Sequence, residues 1–290
     1  MSVAAVLTAA GSGSRLGHAL PKALVPLAGE PLVRHAARRL LAARAADGQR
    51  IETLVVTAPA DHVAHVERSL TGLADGVRVV VVAGGPTRQA SVAAALAVLG
   101  APVPSGASAA GVRPTDDAPG DPTVVLVHDA ARPLAPEELV GRVIDAVRAG
   151  RSAVVPGMPV TDTIKQVDAP QGAAEGLAAA RVLATVAREQ LRAVQTPQGF
   201  TFDVLRTAHA AAAAHAHDEA LAASDDAGLV ERTGGAVWVV DGDERAAKIT
   251  TPRDLAIAEL LLRDERAAVP ADDTTDGAPR RTVETAQEPR

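Results

Sequence analysis

Apolar, β-branched runs recur along the chain at Val3–Ala9, Ile51–Ala58, Val77–Ala83, Thr123–His128, Ser152–Pro156 and Ala236–Asp241. They are short and nearly continuous, the pattern of strands buried on both faces. Between them, Pro31–Arg44, Asp61–Leu70, Gln89–Leu99 and Pro136–Ala149 carry apolar residues at helical spacing. Pro31 and Pro136 stand where a first helical turn tolerates a residue without an N–H. This alternation predicts an α/β domain built on a mostly parallel sheet covered by helices on both faces. Such sheets bind ligands beyond the carboxyl ends of their strands.

Three segments break the pattern. Residues 101–122 are rich in Pro, Gly, Ala, Ser and Asp and read as a flexible surface insertion without a core of its own. The tail from about Ala267 to Arg290 is polar and proline-containing, and is expected to be disordered. Pro159 to Arg192 is irregular, with Gln171-Gly172 and Glu175-Gly176 as turn signals, and reads as an excursion projecting from the sheet.

Composition narrows the class. Apolar residues make up 47% of the chain but aromatics only 1%, so Ala, Val and Leu must fill the core. A net charge of −6 gives no basic footprint for nucleic acid. Cysteine is absent, which removes disulfide frameworks and thiolate metal sites. No segment approaches the ~20 apolar residues of a membrane span. A soluble, cytoplasmic protein is expected.

The first strand runs into Ala9-Ala10-Gly11-Ser12-Gly13-Ser14-Arg15-Leu16-Gly17, and Pro21-Lys22 closes the same loop. Glycines let backbone N–H groups approach phosphate oxygens, and Arg15 and Lys22 add charge that amides cannot supply. Leu16 occupies the third position of a would-be G-x-G-x-x-G, and no G-x-x-x-x-G-K-[ST] is present. A dinucleotide crevice and a P-loop are therefore disfavoured, leaving a different polyphosphate cradle or an ordinary charged turn.

Other strand ends are polar too. Val124–Val127 leads into His128-Asp129-Ala130-Ala131-Arg132-Pro133, where Asp129 could hold Mg²⁺ or cap the turn. His128 suits orienting the loop better than acting as a base; Arg132 could pair with Asp129 or touch substrate. Gly84-Gly85 after the third strand would admit a flat ligand, with Ser91 as a partner for a base or sugar. Lys248 follows Asp241-Gly242-Asp243, so Asp243 could join Asp129 on a metal. Thr250-Thr251-Pro252 opens a helix ending near Arg266, and capping competes for these threonines. His209, His215 and His217 lie in an Ala-rich helix, where a solvated face outweighs a metal site.

Taken in order, these segments resemble the 2-C-methyl-D-erythritol 4-phosphate cytidylyltransferases of the non-mevalonate isoprenoid pathway. The matching residues are the opening loop with Pro21-Lys22, Gly84-Gly85 with Arg88 and Ser91, and Val127–Pro133. Further on come Asp162-Thr163-Ile164-Lys165, Gln195-Thr196-Pro197-Gln198, Ser224-Asp225-Asp226-Ala227 and Lys248–Pro252. Two departures stand out: Pro86 sits where many relatives are acidic, and Ala246-Ala247 replaces the usual Asn-Ile before the lysine.

The resemblance implies a Rossmann-like nucleotidyltransferase fold over residues 1–266, with 159–192 as a projecting β-arm that dimerises the protein. It implies transfer of a cytidylyl group from CTP to 2-C-methyl-D-erythritol 4-phosphate with Mg²⁺, by direct attack on the α-phosphorus. Arg15 and Lys22 would stabilise the transition state, and Asp129 would lie at the metal-triphosphate site. Ala9, Ala10, Gly11, Ser12 and Gly13, with Gly84, Gly85 and Ser91, would hold the nucleotide. Thr163 and Arg188 would reach the acceptor bound by a partner subunit, and Lys248 would contact it from the main domain. A ribitol 5-phosphate cytidylyltransferase is the nearest rival; Asp162–Lys165 with Arg188 favours methylerythritol phosphate. A non-catalytic nucleotide sensor would be expected to lose the loop cations, which this chain keeps.

Overall fold

A computed structural model of the chain describes residues 2–11, 16–18, 20–73, 75–101, 123–169 and 179–268. Ser12, Gly13 and Arg15 lie outside the described residues, as do 102–122, the turn signals between 170 and 178, and the tail beyond 268. In chain order the first half comprises β1 (Val3–Thr8), β2 (Pro26–Leu27), β3 (Glu30–Pro31), α1 (Leu32–Ala42), β4 (Thr53–Ala58), α2 (Val63–Leu70), β5 (Arg78–Ala83) and α3 (Arg88–Leu99). Then follow β6 (Val124–Asp129), α4 (Glu137–Arg148), β7 (Ala153–Pro159), β8 (Ile164–Val167), β9 (Val182–Val186), β10 (Arg192–Val194) and β11 (Gln198–Thr201). The chain closes with α5 (Phe202–Ala211), α6 (Asp226–Arg232), β12 (Trp238–Asp241) and α7 (Pro252–Ala268).

The main sheet runs β10-β7-β11-β6-β1-β4-β5, with β12 beside β7. β1 pairs in parallel with β4 and β6, and β4 in parallel with β5. From β1 the chain moves outward through β4 and β5, then returns to β6 on the other side of β1. That reversal opens a crevice at the carboxyl ends of β1 and β6, the place where such sheets take ligands. The expected parallel strands are all present, but β11 is antiparallel to both β6 and β7 and was not legible as a strand. Its Gln-Gly-Phe-Thr run is too short and mixed to show a period; pairing on both sides makes it a strand.

Alternation along each central strand divides the core between two faces. Ala5, Leu7, Leu54, Val56 and Leu126 meet Leu40 of α1 and Val140 and Ile144 of α4. Val6, Val55, Val125 and Val127 meet Val92 of α3, Leu205 of α5 and Leu229 of α6. The same alternation places Thr8 and Asp129, opposite each other in register, on the α3 face. Both faces of the central strands are thus covered, as their apolar runs required, whereas the edge strands β5 and β12 are half-exposed to exposed.

The Ala-rich helix is shorter than its composition suggests. It ends at Ala211, so His215 and His217 are exposed beyond it, whereas His209 is buried rather than solvated. From Pro159 to Arg192 the chain forms the hairpin β8–β9, which pairs only with itself among the described residues and whose strands are almost wholly exposed.

Candidate active site at the switch point

Three strand exits stand at this end of the sheet. The first is the loop after β1, where Ala9 N–H donates to the Thr57 carbonyl and fixes the start of the turn. Lys22 opens a short 3-10 turn over Lys22–Leu24, with Leu24 and Val25 buried beneath it. Buried side chains below therefore anchor the backbone that carries this cation.

The second exit is Gly84-Gly85. A Cβ on Gly84 would stand 2.5 Å from the Ala10 Cβ and 2.7 Å from Ser91 Oγ. Glycine there lets the β1 exit, the β5 exit and the first turn of α3 close on one another. Ser91 Oγ donates to the Thr87 carbonyl at 2.9 Å and accepts from Gly85 N–H at 3.1 Å, so it shapes this turn from within. Thr87 caps α3, its hydroxyl oxygen accepting from Ala90 N–H at 3.0 Å.

The third exit is β6. Asp129 ends the strand almost fully buried, and its carboxylate draws together side chains far apart in sequence. Oδ1 accepts from Thr8 Oγ1 at 3.2 Å and Arg88 Nε at 3.1 Å; Oδ2 accepts from Lys248 Nζ at 2.8 Å. Burial opposes ionisation, but Arg88 and Lys248 outweigh it and hold Asp129 well below the usual carboxylate range. Arg88 also donates from Nη1 to Asp226 Oδ2 at 2.6 Å, and His209 Nε2 lies 2.8 Å from Asp226 Oδ1. Burial likewise opposes ionisation of Asp226, and Arg88 and His209 prevail.

His128 plays the orienting part expected of it. Its Nε2 faces the Arg132 carbonyl at 3.2 Å, an acceptor only, so Nε2 carries the proton. Nδ1 then accepts from the Thr196 hydroxyl at 3.0 Å, whose oxygen accepts from Asp129 N–H at 3.1 Å. Burial pushes this imidazole down to about 4, so it is neutral at pH 7 and serves as scaffold. Arg132 does not pair with Asp129; it donates to the Ala246 and Val194 carbonyls, tying the Lys248 loop to the root of the arm. Gln195 repeats the tie, exchanging hydrogen bonds with the Asp243 backbone at 2.8 and 3.0 Å.

These groups open onto a cavity of about 210 Å³, lined by Arg88, Asp129, Arg132, Lys248, the Val194–Thr196 segment and Gln198, with Ser224 and Asp225 at one side. Of the described residues expected at the site, Asp129 and Lys248 line the cavity; Ala9, Ala10, Gly11, Lys22, Gly84, Gly85 and Ser91 do not, and Thr163 and Arg188 lie exposed on the arm. Arg188 there donates to the Thr161 carbonyl. Asp243 caps the following turn, and its oxygens accept from Arg245 N–H at 2.9 Å and the Arg245 guanidinium at 3.1 Å. Capping also accounts for the Thr250-Thr251 pair: Asp254 Oδ2 accepts from Thr250 and Thr251 N–H, and Thr251 Oγ1 accepts from Asp254 N–H. Arg88 and Asp226 had no assigned role from sequence beyond their place in two matching motifs, because 41 and 138 residues separate Arg88 from its two carboxylates. His209, read as part of a solvated face, is instead buried against Asp226.

A mostly parallel sheet with a cation-bound carboxylate at its switch point, beside a glycine-lined turn, defines an α/β protein of the nucleotidyltransferase kind. The sequence profile of the family described as 2-C-methyl-D-erythritol 4-phosphate cytidylyltransferase matches residues 3–103 and 109–264. The chain is 48% identical over 262 residues to the protein of that name from Saccharopolyspora erythraea, covering 90% of this chain and all of the other. It is 46% identical to that from Nocardia farcinica, covering 92% and 96% of the two chains. Among solved structures, the Thermus thermophilus enzyme of the same name is 35% identical with a TM-score of 0.61, over 91% of this chain and 100% of that one. The 4-diphosphocytidyl-2C-methyl-D-erythritol synthase from Anaerococcus prevotii aligns with a TM-score of 0.66 at 25% identity, over 90% and 98%. The chain belongs to the 2-C-methyl-D-erythritol 4-phosphate cytidylyltransferase family.

Proposed function

We propose that this chain transfers the cytidylyl group of CTP to 2-C-methyl-D-erythritol 4-phosphate, giving 4-diphosphocytidyl-2-C-methyl-D-erythritol and pyrophosphate for isoprenoid precursor synthesis. The observation that carries the reading is the family match along nearly the whole folded chain. The acceptor's phosphate oxygen attacks the α-phosphorus; a new P–O bond forms as the bond to the bridging oxygen breaks and pyrophosphate leaves. The attacking phosphate is already anionic, so the reaction needs no protein nucleophile. What it needs is alignment and positive charge where the five-coordinate phosphorus builds up negative charge.

Lys22 and Arg15, at the loop after β1, supply that charge. Ala9 to Gly13, Gly84, Gly85 and Ser91 hold the nucleotide, with cytosine against the glycine turn where a Cβ would not fit. Lys248 reaches the acceptor phosphate from the cavity wall. Asp129, ionised at the cavity, is the carboxylate that would hold Mg²⁺ beside phosphate oxygens and water; here its two oxygens are engaged by Arg88 and Lys248, which would have to share it with the cation. Bound there with the triphosphate, Mg²⁺ would neutralise charge on the leaving pyrophosphate. Among the described residues no cluster of three or more His, Asp or Glu that could hold a metal ion is present, so most of the cation's ligands would come from the triphosphate and water.

The arm belongs to a homodimer in this reading. Ile164, Val167, Val182 and Leu183 are 36–52% exposed on a hairpin that pairs with no third strand among the described residues. Two-stranded hairpins are marginal in water unless something packs on them. A second copy that takes the hairpin would bring Thr163 and Arg188 to its own acceptor site. No helix among the described residues is long and apolar enough to cross a membrane, and a cytoplasmic enzyme acting on two water-soluble phosphates is the reading proposed. The test offers purified protein CTP, Mg²⁺ and either methylerythritol phosphate or ribitol 5-phosphate. Pyrophosphate release with the first is expected; release with ribitol 5-phosphate alone would overturn the acceptor assignment.

A further inference from the structure

We propose that Asp226 is a positioning residue for the transfer: by engaging one side of the Arg88 guanidinium, it leaves half of the Asp129 carboxylate to Lys248. The inference rests on Lys248 meeting the acceptor, as read above. It begins from how Arg88 is divided. A guanidinium grips a single carboxylate best with two parallel N–H bonds. Here Arg88 instead gives Nε to Asp129 Oδ1 and Nη1 to Asp226 Oδ2, and Lys248 occupies Asp129 Oδ2.

Asp226 is built to hold that geometry. Its side chain is 1% exposed, Oδ1 faces His209 Nε2 at 2.8 Å, and its N–H donates to Gln198 Oε1 at 3.2 Å. His209 Nδ1 is buried with no hydrogen-bond partner among the described residues, so its bond to Asp226 is what aligns this ring. Neighbouring Asp225 cannot substitute, since its carboxylate serves Gln198 and Gly228.

Charge reinforces the geometry. Two cations and two carboxylates balance here: Arg88 and Lys248 against Asp129 and Asp226. Neutralising Asp226 leaves one excess positive charge on a buried carboxylate. Lys248, 43% exposed, can leave for water, whereas Arg88, 21% exposed, cannot do so easily. Arg88 then turns its free edge to Asp129 and displaces Lys248.

Lysine labelling reads this directly, because Lys22, Lys165 and Lys248 are the chain's lysines. The full-length protein is treated briefly with an amine-acetylating reagent, and each site is quantified by mass spectrometry. Lys165, paired with Thr185 on the arm, is the internal reference. In Asp226→Asn, Lys248 labelling relative to Lys165 is expected to rise about threefold or more, with kcat falling about tenfold and the KM for CTP moving less than about twofold. His209→Gln loosens the same clamp from behind and should give smaller changes of the same sign; it carries the test if Asp226→Asn does not fold. Unchanged Lys248 labelling, or unchanged kcat, in the folded variants overturns the proposal. The labelling arm needs no substrate, so its outcome is distinct from any failure of the acceptor assignment.

Discussion

Substituting Gly84 by alanine adds a single methyl group to the turn assigned to cytosine. The added Cβ would lie 2.5 Å from the Ala10 Cβ and 2.7 Å from Ser91 Oγ. Carbon atoms pack best at about 3.5–4.0 Å, so the deficit is roughly 1 Å on the Ala10 side. Neither neighbour yields easily. Ala10 has no rotatable side chain, and swinging the Ser91 hydroxyl away gives up its bonds to Gly85 and Thr87. The turn itself must therefore move, at a cost of about 1–3 kcal/mol for overpacking. For a domain of this size that lowers Tm by about 2–4 °C per kcal/mol. A displacement of ~1 Å in a group that positions substrate can cost about a hundredfold in rate. The assay is a CTP titration at saturating acceptor with UTP as competitor, alongside thermal unfolding of parent and variant. A higher KM for CTP and weaker discrimination against UTP in a folded protein are expected. Parental KM and discrimination, with the predicted loss of Tm, would refute the placement of cytosine at this turn.

Two further outcomes follow from the geometry. His128 is neutral in the fold at pH values where an unfolded imidazole takes up a proton; its folded-state value is about 4 against an ordinary 6.5. The unfolded chain therefore binds more protons as pH falls from 6.5 towards 4. Stability is fully present above that window and is lost within it, by ~3 kcal/mol for this group. Burial lowers His35 as well, with the same sign, so the check compares urea-unfolding free energies of parent and His128→Asn. The variant should lose less stability between pH 6.5 and 4; an identical slope would count against a neutral buried His128. For the arm, co-expressed Arg188→Ala and Lys22→Ala protomers form mixed dimers that place both defects in one site and leave the other intact, recovering about half of parental activity if the arm crosses. Verified mixed dimers without activity would argue for an arm that serves its own site.

What could be read from the sequence was local. Apolar runs announced β1, β4, β5, β6 and β7, and with them the strand ends where Asp129 and Gly84 stand. The opening glycines and Lys22 were legible for the same reason: a turn that needs conformational freedom and charge writes both into adjacent positions. β11 was not legible, since only its neighbours β6 and β7 make Gln198–Thr201 a strand. His209 misled because alanines around it suggest an exposed helix, whereas α5 turns that residue towards Asp226. The division of Arg88 between two carboxylates leaves no periodic trace, because the sheet order brings those residues together. For Arg132 the sequence left open a pairing with Asp129 or a contact with substrate; the fold sends its guanidinium to the Ala246 and Val194 carbonyls, at the cavity wall.

In the proposed reaction the site aligns two phosphates and supplies charge without itself attacking phosphorus. The stereochemistry of transfer from CTP carrying one sulfur in a defined position on the α-phosphorus tests it most directly. A single in-line displacement by the acceptor phosphate inverts the configuration at that phosphorus. Inversion is expected in the 4-diphosphocytidyl product, with no cytidylyl group retained on the protein. Retention of configuration, the mark of two displacements through a protein-bound intermediate, would contradict it.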